Sequence, residues 1–117
     1  MKTVYVAGAM NGSNIIEVMN NIRRGVKLGA DIFKLGYAPF IPHLDIAFIL
    51  QNPIDLSLPI EMYYDYSMEF LTRCDCIIVC EKSENSKGTK LEIEKAKQLG
   101  IPIYYSVEEL EQANGLS

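Results

Sequence analysis

Short apolar runs alternate along the chain with longer stretches in which apolar residues recur every three or four positions. Residues 2 to 8, KTVYVAG, are the first run and predict a strand that ends in glycine. From Asn14 to Leu35 the apolar positions Ile15, Met19, Ile22, Val26, Ala30 and Phe33 keep the spacing of one helical face. Asn14 with Glu17 behind it marks the start of that helix, and Gly36 marks its stop. Tyr37 to Ile41 predicts a second short strand, halted by Pro42. Residues 43 to 57, HLDIAFILQNPIDLS, carry an apolar patch without a clean period. Pro59 suits the first turn of a helix that runs to about Arg73.

The run from Asp75 to Cys80, DCIIVC, has the continuous apolar character of a strand covered on both faces. A polar loop, Glu81 to Lys87, leads into the amphipathic stretch SKGTKLEIEKAKQLG, residues 86 to 100. A last strand, Ile101 to Tyr105, and a short helix, Val107 to Gln112, complete the order. Strands that alternate with helices predict a parallel sheet with right-handed crossovers. The expected architecture is a single α/β domain over residues 1–117, a flavodoxin- or Rossmann-like three-layer sandwich. Its sheet has four to five strands in the order 2-1-3-4. Ligands in such folds bind beyond the carboxyl ends of the strands, at the point where neighbouring connections diverge. Here that point falls between the first and third strands.

Composition narrows the partners more than the fold. Of 117 residues, 49% are hydrophobic and 22% charged, which is ordinary for a globular domain with its own core. The net charge of −4, with Arg23-Arg24 as the basic doublet, argues against a nucleic-acid polymer as partner. No apolar run approaches membrane-spanning length, and the first ten residues read as a strand rather than a signal peptide. The expectation is a cytoplasmic protein with no membrane partner. Cys74, Cys76 and Cys80 are an odd count that does not suggest a disulfide framework, and the single histidine, His43, is distant in sequence. They read as reduced thiols filling apolar space, with no metal site and no cofactor.

The helix at residues 86 to 100 raises a chemical question. At about 100° per residue, Ile93, Ala96 and Leu99 sweep out an apolar arc, and Glu92 falls inside it. Glu94 points the other way, alongside Lys90 and Lys97. One account is a capping box, in which Glu92 reaches back to the backbone of Thr89 three residues earlier. The other is a carboxylate that borders a cleft, where burial tunes its ionisation for chemistry.

Three loops gather at the same sheet edge. After the first strand comes AGAMNGSN, in which Gly8, Ala9, Met10 and Asn11 let backbone groups approach a ligand closely. After the second comes PFIPHLD, where His43 is either a ligand contact or a solvated side chain. After the third comes CEKSENSKGT, whose Ser86 and Gly88 stand at a helix N-terminus suited to anions.

Together VYVAGAM, LGYAPFIPHL, YSMEFLTRCDCIIV and SKGTKLEIEKAKQLGIPIYY resemble the nucleoside 2-deoxyribosyltransferase-like superfamily. The likeness is greatest to its small phage and bacterial branch, related to the 2′-deoxynucleoside 5′-phosphate N-hydrolases, and it covers about residues 2 to 110. Its most specific element is Ser-x-Gly-x-x-x-Glu, met by Ser86, Gly88 and Glu92. The resemblance implies Glu92 as the nucleophile that attacks the anomeric carbon of a 2′-deoxynucleoside or its 5′-monophosphate. It also implies Tyr5 and Gly8 at the sugar and Ser86 at the sugar or phosphate. Relatives carry an aspartate where this chain has Ser67; Asp65 and Glu69 each lie two residues away on that helix, and Asp65 is taken as the stand-in. Relatives that hydrolyse nucleotides carry serine and arginine where Ala9 and Asn11 stand.

Three functions follow as expectations. The first is cleavage or transfer of an N-glycosidic bond, with Glu92 and Asp65 as catalytic residues and a small-molecule nucleoside or nucleotide as substrate. The sugar pocket would draw on Tyr5, Gly8, Ala9, Met10, Asn11, His43, Ser67, Ser86 and Gly88, with the segment from His43 to Ser57 as a cover over the base. The second is a non-catalytic module that binds a nucleotide or a nucleotide-derived signal. The third is a partner-binding domain in which Glu92 only caps its helix and Ile46 to Leu50 form an interface. The fold implies a homodimer or higher homo-oligomer.

Overall fold

Four parallel strands carry the architecture of the computed structural model, which describes residues 2–50 and 60–114. They are β1 (Thr3–Ala7), β2 (Ala38–Phe40), β3 (Cys76–Val79) and β4 (Ile103–Tyr104), in the order β2-β1-β3-β4. The helices are α1 (Ile15–Lys34), α2 (Ile60–Leu71), α3 (Lys87–Leu99) and α4 (Val107–Ala113), and a 3₁₀ segment, Pro42–Leu50, follows β2. The rest of the aperiodic stretch and Pro59 lie outside the described residues. Among the described residues no helix is long and apolar enough to cross a membrane.

β3 and all of β1 after Thr3 are apolar and buried because both their faces are covered. Val4 pairs with Cys76 and Val6 with Ile78, and these side chains join Ile32 of α1 and Leu110 of α4 in one core. The alternate residues, Tyr5, Ala7, Ile77 and Val79, join Leu71 of α2 and Ala96 of α3 in the other. This two-fold alternation places Tyr5 on the α2–α3 side of the sheet. Cys76 and Cys80 are buried, Cys74 is half-buried, and all three are free thiols.

α1 begins as its sequence signals: Asn14 Oδ1 accepts from the Glu17 backbone N–H at 2.9 Å. Its inward face differs from the expected stripe. Ile15 and Phe33 are 70% and 67% exposed, whereas Asn21, Ile22, Gly25, Gly29 and Ile32 are buried. The stretch after β2 lies so close to α1 that a Cβ at Gly25 would overlap the His43 ring, and one at Gly29 would overlap Ile41. The contact depends on missing side chains, which an apolar period does not register.

α3 fills the expected stretch, but its cap is not Thr89. Ser86 is its N-cap and accepts from the Thr89 N–H at 3.2 Å, with the Thr89 hydroxyl donating to the same oxygen at 2.9 Å. The capping box between Thr89 and Glu92 is therefore absent, because Glu92 lies in the second turn. Its buried face is Thr89, Glu92 and Ala96, and Leu99 is half-exposed rather than part of it. Gly100, at φ 71°, closes the helix in the left-handed conformation that glycine adopts without strain.

Candidate active site

Beyond the carboxyl ends of β1 and β3 lies a cleft of about 720 Å³. Its walls are the β1–α1 loop, the β3–α3 loop, the start of the 3₁₀ segment, and the facing sides of α2 and α3. Gly8, Ala9, Met10 and Asn11 line it from the first loop, and Ser86 and Gly88 from the second. Two tethers hold these loops. Ser83 Oγ accepts from the Ala9 N–H at 3.0 Å, joining one loop to the other. Asn21 Nδ2 donates to the Asn11 carbonyl at 3.0 Å, while its Oδ1 accepts from Arg24.

Glu92 lies in this cleft at 9% exposure, and the Tyr5 hydroxyl donates to its Oε2. Burial pushes the Glu92 carboxyl up to about 7, with the Tyr5 hydrogen bond pulling the other way. Burial, followed by the Glu92 charge, drives the Tyr5 phenol well above its ordinary value. Tyr5 is thus a neutral donor, and Glu92 is a carboxylate that exchanges its proton near neutrality. A group so poised attacks or stabilises an electron-poor carbon more readily than a hydrated carboxylate does. Tyr5 itself is fully buried and does not line the cleft, so its contact is with Glu92 rather than with a bound sugar.

Asp65 and His43 stand apart from the expected set. Asp65 is exposed on α2 and outside the cleft lining; Ser67, two residues on, is buried and lines it. Two residues on a helix are about 200° apart, so both cannot face one cleft. His43 is neither solvated nor on the cleft surface. It is 2% exposed behind Gly8 and against Gly25, and neither ring nitrogen has a hydrogen-bond partner among the described residues. Burial lowers its pKa, which favours the neutral imidazole.

The cleft also contains residues absent from the expected set. Asp45, from the 3₁₀ segment, lines it and accepts from the Ser67 hydroxyl at 3.5 Å. Arg24, Lys82 and Lys87 supply its positive charge. Beside it opens an apolar hollow of about 440 Å³, walled by Phe40, Leu44, Phe48 and Tyr66. Asp45 could have been noticed as a lone acid in an apolar stretch beside a strand end. Arg24 carried no signal beyond its place in a basic doublet.

Fold and cleft together define an α/β protein with a buried, proton-exchanging carboxylate at its topological switch point. The chain belongs to the family described as a domain of unknown function, DUF4406, whose model matches residues 2–105. Its fold is similar to that of the 2-deoxyribosyltransferase of the psychrotolerant bacterium Bacillus psychrosaccharolyticus, with a TM-score of 0.60. The two are 17% identical, over 86% of this chain and 69% of that one, and the likeness is one of fold. No curated protein matches the chain.

Proposed function

We propose that this protein cleaves the N-glycosidic bond of a 2′-deoxynucleoside or its 5′-monophosphate, with Glu92 as nucleophile and water or a second base as acceptor. The observation that carries this reading is the buried Glu92 carboxylate, held by the Tyr5 hydroxyl in a polar cleft. The cleft lies at the switch point of a fold like that of a 2-deoxyribosyltransferase.

Departure of the base leaves positive charge on the anomeric carbon and ring oxygen. A carboxylate within reach stabilises that charge and then forms a covalent glycosyl ester. The Tyr5 hydroxyl holds one Glu92 oxygen and leaves the other for attack. Ser86 and the backbone at Gly88 bind the sugar hydroxyls or phosphate, and Gly8 to Asn11 form the opposite wall. Arg24, Lys82 and Lys87 offset negative charge on the substrate, which accommodates a 5′-phosphate. Expulsion of water by the bound sugar strengthens each of these interactions.

A second reading, a nucleotide-binding module without turnover, takes its support from Ser67, a hydroxyl where the resemblance calls for an acid. One experiment separates the two. The protein is incubated with a panel of deoxynucleosides and their 5′-monophosphates, and free base is followed by chromatography with Glu92→Gln as control. Base release lost in the variant supports catalysis. Binding without release, by both proteins, supports the module.

A further inference from the structure

We propose that Asp45, anchored by the Ser67 hydroxyl, is the general acid that protonates the departing base. This rests on the N-glycosidic reading and assigns the half of the reaction that Glu92 leaves open. Three observations point to it. Among the described residues that line the cleft and the apolar hollow beside it, Asp45 alone borders both. A sugar over Glu92 with its base directed into the hollow among Phe40, Phe48 and Tyr66 would carry the scissile bond past this carboxyl. Planar bases suit such aromatic walls.

The second observation is a polar chain on one face of the sheet. Tyr5 donates to Glu92 on one side, its phenol is influenced by Ser67 and by the charge of Asp45 on the other, and Ser67 donates to Asp45. Each carboxyl group thus holds its own hydroxyl donor on the same side of the sheet, Glu92 that of Tyr5 and Asp45 that of Ser67. The third is environment. Burial raises the Asp45 carboxyl above its ordinary range, with the Ser67 hydrogen bond opposing, whereas exposed Asp65 has no access to the cleft. Of the two acids, Asp45 is the one the cleft surrounds, within reach of a base bound over the hollow.

The step balances as follows. A Glu92 oxygen bonds to the anomeric carbon while the carbon–nitrogen bond breaks, and its electron pair goes to the base. The Asp45 proton moves to a ring nitrogen or exocyclic oxygen of that base, which leaves neutral. Water then attacks the anomeric carbon and gives a proton to the Asp45 carboxylate, while the bond between that carbon and the Glu92 oxygen breaks with its electron pair returning to Glu92, which releases deoxyribose and restores both carboxyl groups.

The test varies the leaving group. 4-Nitrophenyl 2-deoxyriboside, with its 5-phosphate as a companion substrate, departs as a stable phenolate that needs no proton. Asp45→Asn is expected to lose about 10²- to 10⁴-fold in kcat on deoxynucleosides and less than about ten-fold on the nitrophenyl sugar. Glu92→Gln should lose both activities. The double variant Asp45→Asn/Ser67→Asp moves a carboxyl to the other end of the same hydrogen bond and should recover part of the deoxynucleoside activity. Ser67→Ala, which leaves Asp45 in place without its hydrogen bond, is the second reading should Asp45→Asn fold poorly: it should slow deoxynucleosides and spare the nitrophenyl sugar, and equal losses on both would count against Asp45. Equal losses on both substrates, or deoxynucleoside turnover within about three-fold of the parent protein, would overturn Asp45 as the acid and leave Glu92 in place. A parent protein inert on every substrate would remove the reaction itself, and Asp45's role with it.

Discussion

Replacing Glu92 by glutamine separates a carboxylate retained for chemistry from one retained for its helix. The glutamine keeps an oxygen for the Tyr5 hydroxyl but carries no proton to exchange. In the parent protein the Glu92 carboxyl titrates near 7 rather than at its ordinary 4.5, chiefly because it is buried. Below pH 4.5 both the folded and the unfolded chain hold this proton, and stability is unaffected by it. Between 4.5 and 7 the unfolded chain releases the proton while the folded chain keeps it, so stability falls as pH rises. Above 7 the loss is complete, and at about 1.4 kcal/mol per pH unit it amounts to about 3 kcal/mol. Glu92→Gln is therefore expected to be more stable than the parent at pH 8 by up to about 3 kcal/mol, on the order of 10 °C in melting temperature, and to have no such advantage at pH 4. Urea unfolding at pH 4, 6 and 8 measures the difference directly. In the same preparations base release should fall by orders of magnitude, whereas Glu94→Gln, exposed on the opposite face, changes neither quantity. Parallel stability curves for Glu92→Gln and parent would refute the carboxyl raised by burial. Undiminished base release would refute the nucleophile.

Tyr5→Phe removes the donor that holds the Glu92 charge. Its carboxyl should rise further, moving the ascending limb of kcat/KM against pH to higher pH, with activity at pH 6 falling more than at pH 9; an unmoved limb contradicts the pairing. Deoxy substrates should outpace their ribo counterparts by at least about ten-fold, ~1.4 kcal/mol in barrier, because a 2′-hydroxyl withdraws electrons from the anomeric carbon. Parallel assays of the two series check this, and equal rates would count against the substrate class. Gly25→Ala places a methyl against the His43 ring and should cost about 1–3 kcal/mol in urea unfolding. Combined with His43→Ala, the two losses should be less than additive; strict additivity would mean the helix and the 3₁₀ segment do not press on each other there.

What could be read ahead of the structure follows from which physical signals are periodic. β1 and β3 lie buried on both faces and show as unbroken apolar runs, so the sheet and its switch point follow from the order of elements. Glu92 was legible for the complementary reason, since a charge inside an apolar arc breaks a strong period. Its cap was not. Ser86 and Thr89 are both competent N-caps three residues apart, and only the β3–α3 loop decides that the helix begins at the first. Apolar spacing misplaces the inner face of α1 because it counts side chains, and this face presents Gly25 and Gly29 to His43 and Ile41. The same close approach explains the second carboxyl. It carries the 3₁₀ segment past the end of the sheet and leaves Asp45 on the cleft beside Ser67. A 3₁₀ turn repeats every three residues rather than every 3.6, so no helical or strand period could assign that acid a face. Helical geometry alone already set Asp65 and Ser67 on different sides, and the structure takes the serine inward. The nucleophile candidate was thus visible as an exception to a pattern, whereas the acid candidate lay where no pattern existed to be broken.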